Sequence, residues 1–88
     1  MTRKADPTRI SIAWQDPAML QIGKFGLTEG LVKEATRLLK KHRYIKVRLL
    51  RSAIGDSSKE EIIEELCEEA KATLAGRRGN TAVIYRLR

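Results

Sequence analysis

The sequence contains very few of the residues on which disulfide bonds, metal sites and catalytic triads depend. Cys67 is the only cysteine and His42 is the only histidine. One cysteine cannot form a disulfide bond within the chain, which fits a reducing compartment, and the ligand spacings of zinc sites are missing. Cys67 and His42 fall on different predicted helices and do not indicate a catalytic pair. We therefore expect a protein that is not an enzyme and holds no metal or cofactor.

Long apolar runs are absent as well. No stretch of the 88 residues approaches the roughly 18 consecutive apolar residues of a membrane-spanning helix. The amino terminus lacks the apolar segment of a signal peptide, and residues 1–5 are polar and expected to be mobile. A chain of this length builds a single hydrophobic core. We expect one soluble, cytoplasmic domain over residues 1–88 that makes no membrane contact.

Positive charge is what the chain has in excess. It contains 18 Lys and Arg residues against 11 Asp and Glu, a net charge of +7. Residues 1–55 hold 12 bases and 4 acids, residues 56–69 hold one base and 7 acids, and residues 70–88 hold 5 bases. One acidic helix is therefore set into a basic body. This balance favours a polyanion, above all a nucleic acid, as the binding partner.

The chain is organised around the turn formed by Gly23, Lys24, Phe25 and Gly26, between an apolar strand and an amphipathic helix. Glycine permits positive φ angles and lets a ligand come close to the backbone. Backbone N–H groups in such a turn, with the positive end of the following helix, can bind a phosphate. A tight turn without a ligand is the alternative, and the longer Rossmann and Walker patterns do not fit. The lysine and the basic composition favour phosphate binding.

The spacing of apolar residues predicts seven elements, in the order helix, strand, helix, strand, helix, strand, strand. Asp6 and Pro7 mark the start of the first helix, although residues 9–12 also alternate like a strand. The predicted helices extend over residues 7–14, with Asp6 as N-cap, over 29–42, with Thr28 as N-cap, and from a cap at Ser57 or Ser58. The predicted strands extend over residues 18–22 and 44–50, and the hairpin strands over 72–77 and 81–87. Right-handed crossovers make the strands joined by helices parallel, and the hairpin adds an antiparallel partner.

Charges of opposite sign cover the outer faces of the two longer helices. The second helix presents bases, which form either a solvated surface or a track for a polyanion. The glutamates of the third helix flank an apolar stripe without burial, so they are typical of a solvated face that points away from a polyanion. The last strand is apolar on both sides, which predicts the long helices on one face of the sheet and the first helix, with Trp14, on the other.

Three segments, in this order, resemble the CRM domain family, whose stand-alone bacterial members are the YhbY-type RNA-binding proteins. They are the glycine turn that opens a helix (residues 22–29), the His-x-x-Ile-Lys-Val segment that enters the second strand (residues 42–48) and the terminal strand (residues 81–86). The resemblance extends over residues 13–88. The chain departs from the family pattern at Phe25, where Asn is common, and in its first helix, which is shortened to about two turns.

The resemblance implies an α/β fold with a four-stranded mixed sheet, similar to the C-terminal domain of translation initiation factor 3. Together with the size of the chain it predicts a two-layer α/β architecture. It also implies RNA binding through the glycine loop, much as in KH domains. Family members act on precursors of the large ribosomal subunit and, in plant organelles, on group II introns.

These observations lead to the hypothesis of a non-catalytic protein that binds structured RNA, of the large ribosomal subunit or its precursors, through phosphates. Lys24 would supply a point charge, and Phe25 would either stack on a base or pack against the core. The alternative is a nucleoid-type protein that binds duplex DNA with little sequence preference. The residues predicted to bind RNA are Gly23, Lys24, Phe25, Gly26, Thr28, Lys33, Arg37, Lys40 and Lys41.

Overall fold

The computed structural model describes residues 5–23, 26–50 and 59–87. Within these ranges, seven elements follow in the predicted order. They are α1 (Pro7–Gln15), β1 (Leu20–Ile22), α2 (Glu29–His42), β2 (Tyr44–Leu49), α3 (Lys59–Ala70), β3 (Thr73–Arg78) and β4 (Thr81–Tyr85). The predicted mobility of the amino terminus and the predicted Ser57 or Ser58 cap of α3 concern residues outside these ranges, except for Ala5.

The first element is a helix and not a strand. The Asp6 side chain accepts a hydrogen bond from the Thr8 N–H at 2.9 Å, and Pro7 occupies the first helical position, where its missing N–H costs nothing. The helix ends at Asp16, whose ψ of 157° is extended, because a residue before a proline is driven out of the helical region. The start and end signals therefore outweigh the short alternation at residues 9–12.

The four strands form one mixed sheet in the order β1-β2-β4-β3. Strand β1 pairs with β2 in parallel, as the crossover through α2 predicts. Strand β4 inserts between β2 and β3 and is antiparallel to both, so β2 and β3 run in the same direction without touching. Gly79, with a φ of 57°, forms the tight turn of the β3–β4 hairpin.

The main hydrophobic core lies between the sheet and the helices α2 and α3. The sheet contributes side chains that alternate along each strand, including Ile22, Ile45 and Ile84, which are fully buried. Helix α2 contributes Ala35, Leu38 and Leu39, and α3 contributes an equivalent stripe ending at Ala70. The predicted α/β class and four-stranded mixed sheet are confirmed, with sheet and long helices as the two principal layers.

Helix α1 covers part of the opposite face, which we name the outer face of the sheet. Ala13 and Trp14 pack there with Val83, and the rings of Tyr44 and Tyr85 stack with their centroids 5.6 Å apart. The Tyr44 hydroxyl accepts a hydrogen bond of 2.8 Å from the Asp6 N–H, which ties the start of α1 to β2. The predicted covering of the outer face by the first helix is confirmed. This partial third layer leaves the far end of that face open.

Candidate nucleic-acid interface

The glycine turn lies where β1 ends and the chain turns back into α2. Gly26 has a φ of 67°, and a Cβ built at this position would meet no heavy atom within 4 Å. Gly23 does not adopt a positive φ, so the expectation that both glycines use this region holds only for Gly26. A positive φ and open space at one residue are what close backbone approach by a ligand requires. The predicted roles of Lys24 and Phe25 concern residues outside the described ranges.

The turn uses one of its own amides. The Gly26 N–H donates to the Gly23 carbonyl at 2.9 Å, so the prediction that N–H groups of this turn bind a phosphate does not hold for this one. At the start of α2, the Thr28 hydroxyl accepts the Leu31 N–H at 3.2 Å and thus caps the helix. The N–H groups of Glu29 and Gly30 precede the intrahelical bonds. Among the described residues, these two N–H groups are backbone donors that the start of the helix offers to an anion.

A cationic stripe runs along the solvent face of α2. Its members recur at helical spacing over a helix of 14 residues, about 21 Å long. The stripe consists of Lys33, Arg37, Lys40 and Lys41. It therefore begins about one turn after the start of α2 and ends in the last turn of that helix.

The members of the cationic stripe differ in how far they are already paired. The Arg37 guanidinium donates two hydrogen bonds to the Glu34 carboxylate, which lowers the pKa of Glu34 and raises the pKa of Arg37. Lys33 lies 4.0 Å from the Glu29 carboxylate, and both side chains are mostly exposed. Among the described residues, Lys40 and Lys41 have no acidic partner. The carboxyl-terminal half of the stripe therefore has the least compensated charge.

Two further bases join the stripe at this end. Lys71, just after α3, and Arg86, just after β4, border the same shallow cavity as Lys40, together with Thr36 and Glu69. Sequence reasoning missed this extension because Lys71 and Arg86 belong to distant segments. The only signal in the sequence was the basic character of residues 70–88. Their proximity to Lys40 results from the way both long helices and β4 end on the same side of the sheet.

Other basic residues hold the fold together. The Lys46 ammonium donates to the carbonyls of Trp14 and Asp16, at 2.9 and 3.2 Å, at the carboxyl-terminal end of α1. Arg9 donates to the His42 carbonyl at the end of α2 and lies over the Tyr44 ring. Cations are favourable at helix C-termini because they offset the negative end of the dipole. His42 thus provides a backbone acceptor in a structural contact.

The acidic face belongs to α3. Glu61, Glu64 and Glu65 are exposed, while the apolar stripe of the helix is buried against the sheet. Cys67 lies at the border of the two, and burial, aided by the Glu64 charge, raises the pKa of its thiol to about 11. A thiol with such a pKa stays protonated at neutral pH and is a poor nucleophile. Within the described residues, no group of His, Cys, Asp and Glu side chains is arranged so that it could hold a metal ion.

The fold and this site define a class of small α/β domains in which a glycine turn opens a helix that carries a cationic stripe. Within that class the family is clear. The model of the CRS1/YhbY (CRM) domain matches residues 2–86, and the chain belongs to this family. Across the described ranges, no helix has the length and apolar character needed to span a bilayer.

Named relatives are found among bacterial proteins. A probable RNA-binding protein of Pseudomonas aeruginosa is 34% identical over 68 residues, which are 77% of this chain and 64% of that protein. The probable RNA-binding protein YqeI of Bacillus subtilis is 29% identical over 68 residues, 77% of this chain and 69% of that protein. The match thus spans about two thirds of the length of each relative.

A solved structure is similar over most of its length. The hypothetical protein SAV1595 of Staphylococcus aureus, provisionally described as RNA-binding, has 34% sequence identity and a TM-score of 0.71. The superposition covers 86% of this chain and 77% of that one. The shared fold and the family assignment agree with each other.

Proposed function

We propose that this protein is a non-catalytic RNA-binding protein that grips RNA phosphates with the glycine turn and the cationic stripe of α2. The observation that carries the proposal is the continuity of these two features on one helix. Gly26 leaves open space two residues before the N-cap of α2, and Lys40 and Lys41, in the last turn, have no acidic partner within the described ranges. Family membership and the names of the relatives support RNA as the polyanion.

A phosphate near Gly26 would meet three favourable features of this chain. The missing side chain removes steric hindrance, the N–H groups of Glu29 and Gly30 offer hydrogen bonds, and the helix dipole adds positive potential. Lys24 would supply a full charge, and Phe25 a surface for base stacking. The Glu29 carboxylate opposes an anion here, and its proximity to Lys33 limits that repulsion.

The cationic stripe would then follow the RNA backbone. Contacts of lysine and arginine with phosphates release counterions, so the affinity of such a surface falls steeply with salt. Lys40 and Lys41 would contribute most, because Arg37 is already held by Glu34. The acidic face of α3 would stay turned away from the bound backbone.

The target that we propose is structured RNA of the large ribosomal subunit or of its precursors. Support for this step comes from the resemblance to the stand-alone members of the family. Crosslinking in cells, followed by sequencing of the attached RNA, tests it. We expect enrichment of large-subunit ribosomal RNA over messenger RNA, and recovery of unrelated RNAs in proportion to their abundance would contradict this target.

RNA binding itself is tested by competition in solution. A labelled structured RNA is bound to the purified protein, and duplex DNA or unlabelled RNA is added at equal nucleotide concentration and moderate salt. RNA should displace the label far better than DNA. If duplex DNA competed equally well, the protein would be a general polyanion binder of the nucleoid type. If no structured RNA bound at physiological salt, the proposed function would be wrong.

A further inference from the structure

The open end of the outer face carries a row of hydrogen-bonding side chains. Gln21 of β1 is the register partner of Arg48 in β2, and Arg48 is the register partner of Thr81 in β4. Register partners place their side chains on the same face of a sheet, so these three lie side by side. Gln21 and Arg48 are exposed, because α1 covers only the other end of the outer face.

These residues line an open groove, which we name the sheet-face groove. Its volume is about 530 Å³, and its walls include Pro17, Lys46 and Asn80 in addition to the row. Asn80 is held in place because its carbonyl accepts the Leu49 N–H at 2.7 Å. The groove therefore has a firm floor of three strands and polar side chains from three separate segments.

Of the described cations that line this groove, Arg48 is the one without a bonding partner in the described part of the chain. Lys46 is bound to the carbonyls at the end of α1, and Arg78, also on the outer face, lies over the Trp14 ring at 4.5 Å from its centroid. No described side chain forms an ion pair with Arg48. A guanidinium beside two carboxamides, with no partner among residues 5–23, 26–50 and 59–87, is a strong hydrogen-bonding group that a ligand can use.

We propose that the sheet-face groove binds an unpaired base of the RNA, with a preference for guanine. The inference rests on the proposed function, because the phosphate at the glycine turn brings the base to the groove. Gln21 precedes Gly23 by two residues, about 7 Å along a strand. A nucleotide whose phosphate lies at the turn can therefore direct its base onto the outer face.

The side chains in the groove suit a base edge better than a second phosphate. The guanidinium of Arg48 can donate two parallel hydrogen bonds to N7 and O6 of guanine, and the Gln21 and Asn80 carboxamides can both donate and accept. Sequence-specific recognition of RNA is directed at such unpaired bases, whose edges are accessible. Of the described residues that line the groove, only Arg48 is a free cation, whereas a phosphate track needs several, as on α2.

The test compares arginine with lysine at two positions. Arg48→Lys keeps the charge but removes the planar fork, and Arg77→Lys is the matched control on the helix-covered side, where Arg77 pairs with Glu60 of α3. Binding is measured by fluorescence anisotropy with uridine oligonucleotides of one length that carry a single central G, A or C. For the unaltered protein we expect tighter binding to G by roughly 5- to 150-fold. Arg48→Lys should abolish most of this preference, and Arg77→Lys should retain it.

The outcomes separate this inference from the proposed function. If every oligonucleotide bound equally well and Arg48→Lys changed nothing, RNA binding would stand and the groove would not be a base site. Arg48→Ala provides a further comparison. If Arg48→Ala weakened binding and Arg48→Lys did not, only the charge of Arg48 would matter, which indicates a phosphate contact, and the groove would not be a base site. NMR gives a second measurement on the unaltered protein. Addition of the G oligonucleotide should shift the side-chain NH₂ signals of Gln21 and Asn80, and unchanged signals in the bound complex would overturn the inference.

Discussion

Replacement of Gly26 by Asp, compared with replacement by Asn, is the sharpest test of the glycine turn. Gly26 has a positive φ, so either residue adds conformational strain of about 1 kcal/mol to the folded state. Asp and Asn have the same shape and are the residues that tolerate this region best. Neither side chain meets a steric obstacle at its Cβ, so both variants should fold. The difference between them is one negative charge.

The charge sets the expected loss of affinity. A carboxylate about 6 Å from a phosphate repels it by about 0.7 kcal/mol at the dielectric constant of water and about 2.8 kcal/mol at the effective value near a protein surface. Gly26→Asp should therefore bind structured RNA roughly 3- to 100-fold more weakly than Gly26→Asn. The gap between the two variants should narrow as salt is added, because exposed charges are screened.

Anisotropy titrations of both variants with the same structured RNA, at two salt concentrations, measure this gap. Urea unfolding of both variants provides the control, and their stabilities should agree within a few tenths of a kcal/mol. Equal affinities for RNA at low salt, in two folded variants, would refute the placement of a phosphate at this turn. A loss shared equally by Asp and Asn would indicate a steric contact instead of an electrostatic one.

Three further predictions concern the helices. Lys40→Ala and Lys41→Ala should each lower the salt dependence of RNA binding by about one released counterion, whereas Lys59→Ala in the acidic helix should not. Salt titrations measure this as the slope of log affinity against log salt concentration, and identical slopes for all three variants would contradict the role of the cationic stripe. Thr28→Ala should reduce the free energy of unfolding by about 1 kcal/mol in urea titrations, because the Leu31 N–H loses its acceptor, while Thr28→Ser should keep most of it. Cys67 should react slowly with iodoacetamide at pH 8 and faster as the pH approaches 11, because burial raises the pKa of its thiol to about 11. Rapid alkylation of the folded protein at pH 8 would contradict this burial. The thiolate is disfavoured in the folded state, so this group stabilises the fold fully below about pH 9 and loses that contribution as the pH rises towards 11.

The sequence was enough to predict the elements, because each carries a local signal. Asp6 with Pro7 starts α1, and Thr28 starts α2, by hydrogen bonds within one turn of helix. Alternating apolar residues identify β2 and β4, since a strand buries every second side chain. The strand 18–22 was predicted two residues too long at its start, at Ala18 and Met19. Strand ends depend on pairing, which no local pattern specifies.

The candidate site was predictable only in part. The cationic stripe follows from helical periodicity, and its exposed position is borne out for Lys33, Arg37, Lys40 and Lys41. The sequence did not reveal that Arg37 forms a salt bridge with Glu34, or that the Gly26 N–H donates a hydrogen bond to the Gly23 carbonyl. Both contacts depend on side-chain rotamers and turn geometry, which composition and spacing leave open.

By itself the sequence determined the order and type of the elements, the apolar stripe of each helix and the excess of positive charge, since these depend on residues close together in the chain. The tertiary structure alone decided that β4 lies between β2 and β3. That insertion brings Thr81 beside Arg48, and Arg48 beside Gln21, so three separate segments share one groove. Gln21 and Arg48 are 27 positions apart, and Arg48 and Thr81 are 33 apart. They become neighbours only through backbone pairing across the sheet, because hydrogen bonds between strands fix a register that no single segment encodes.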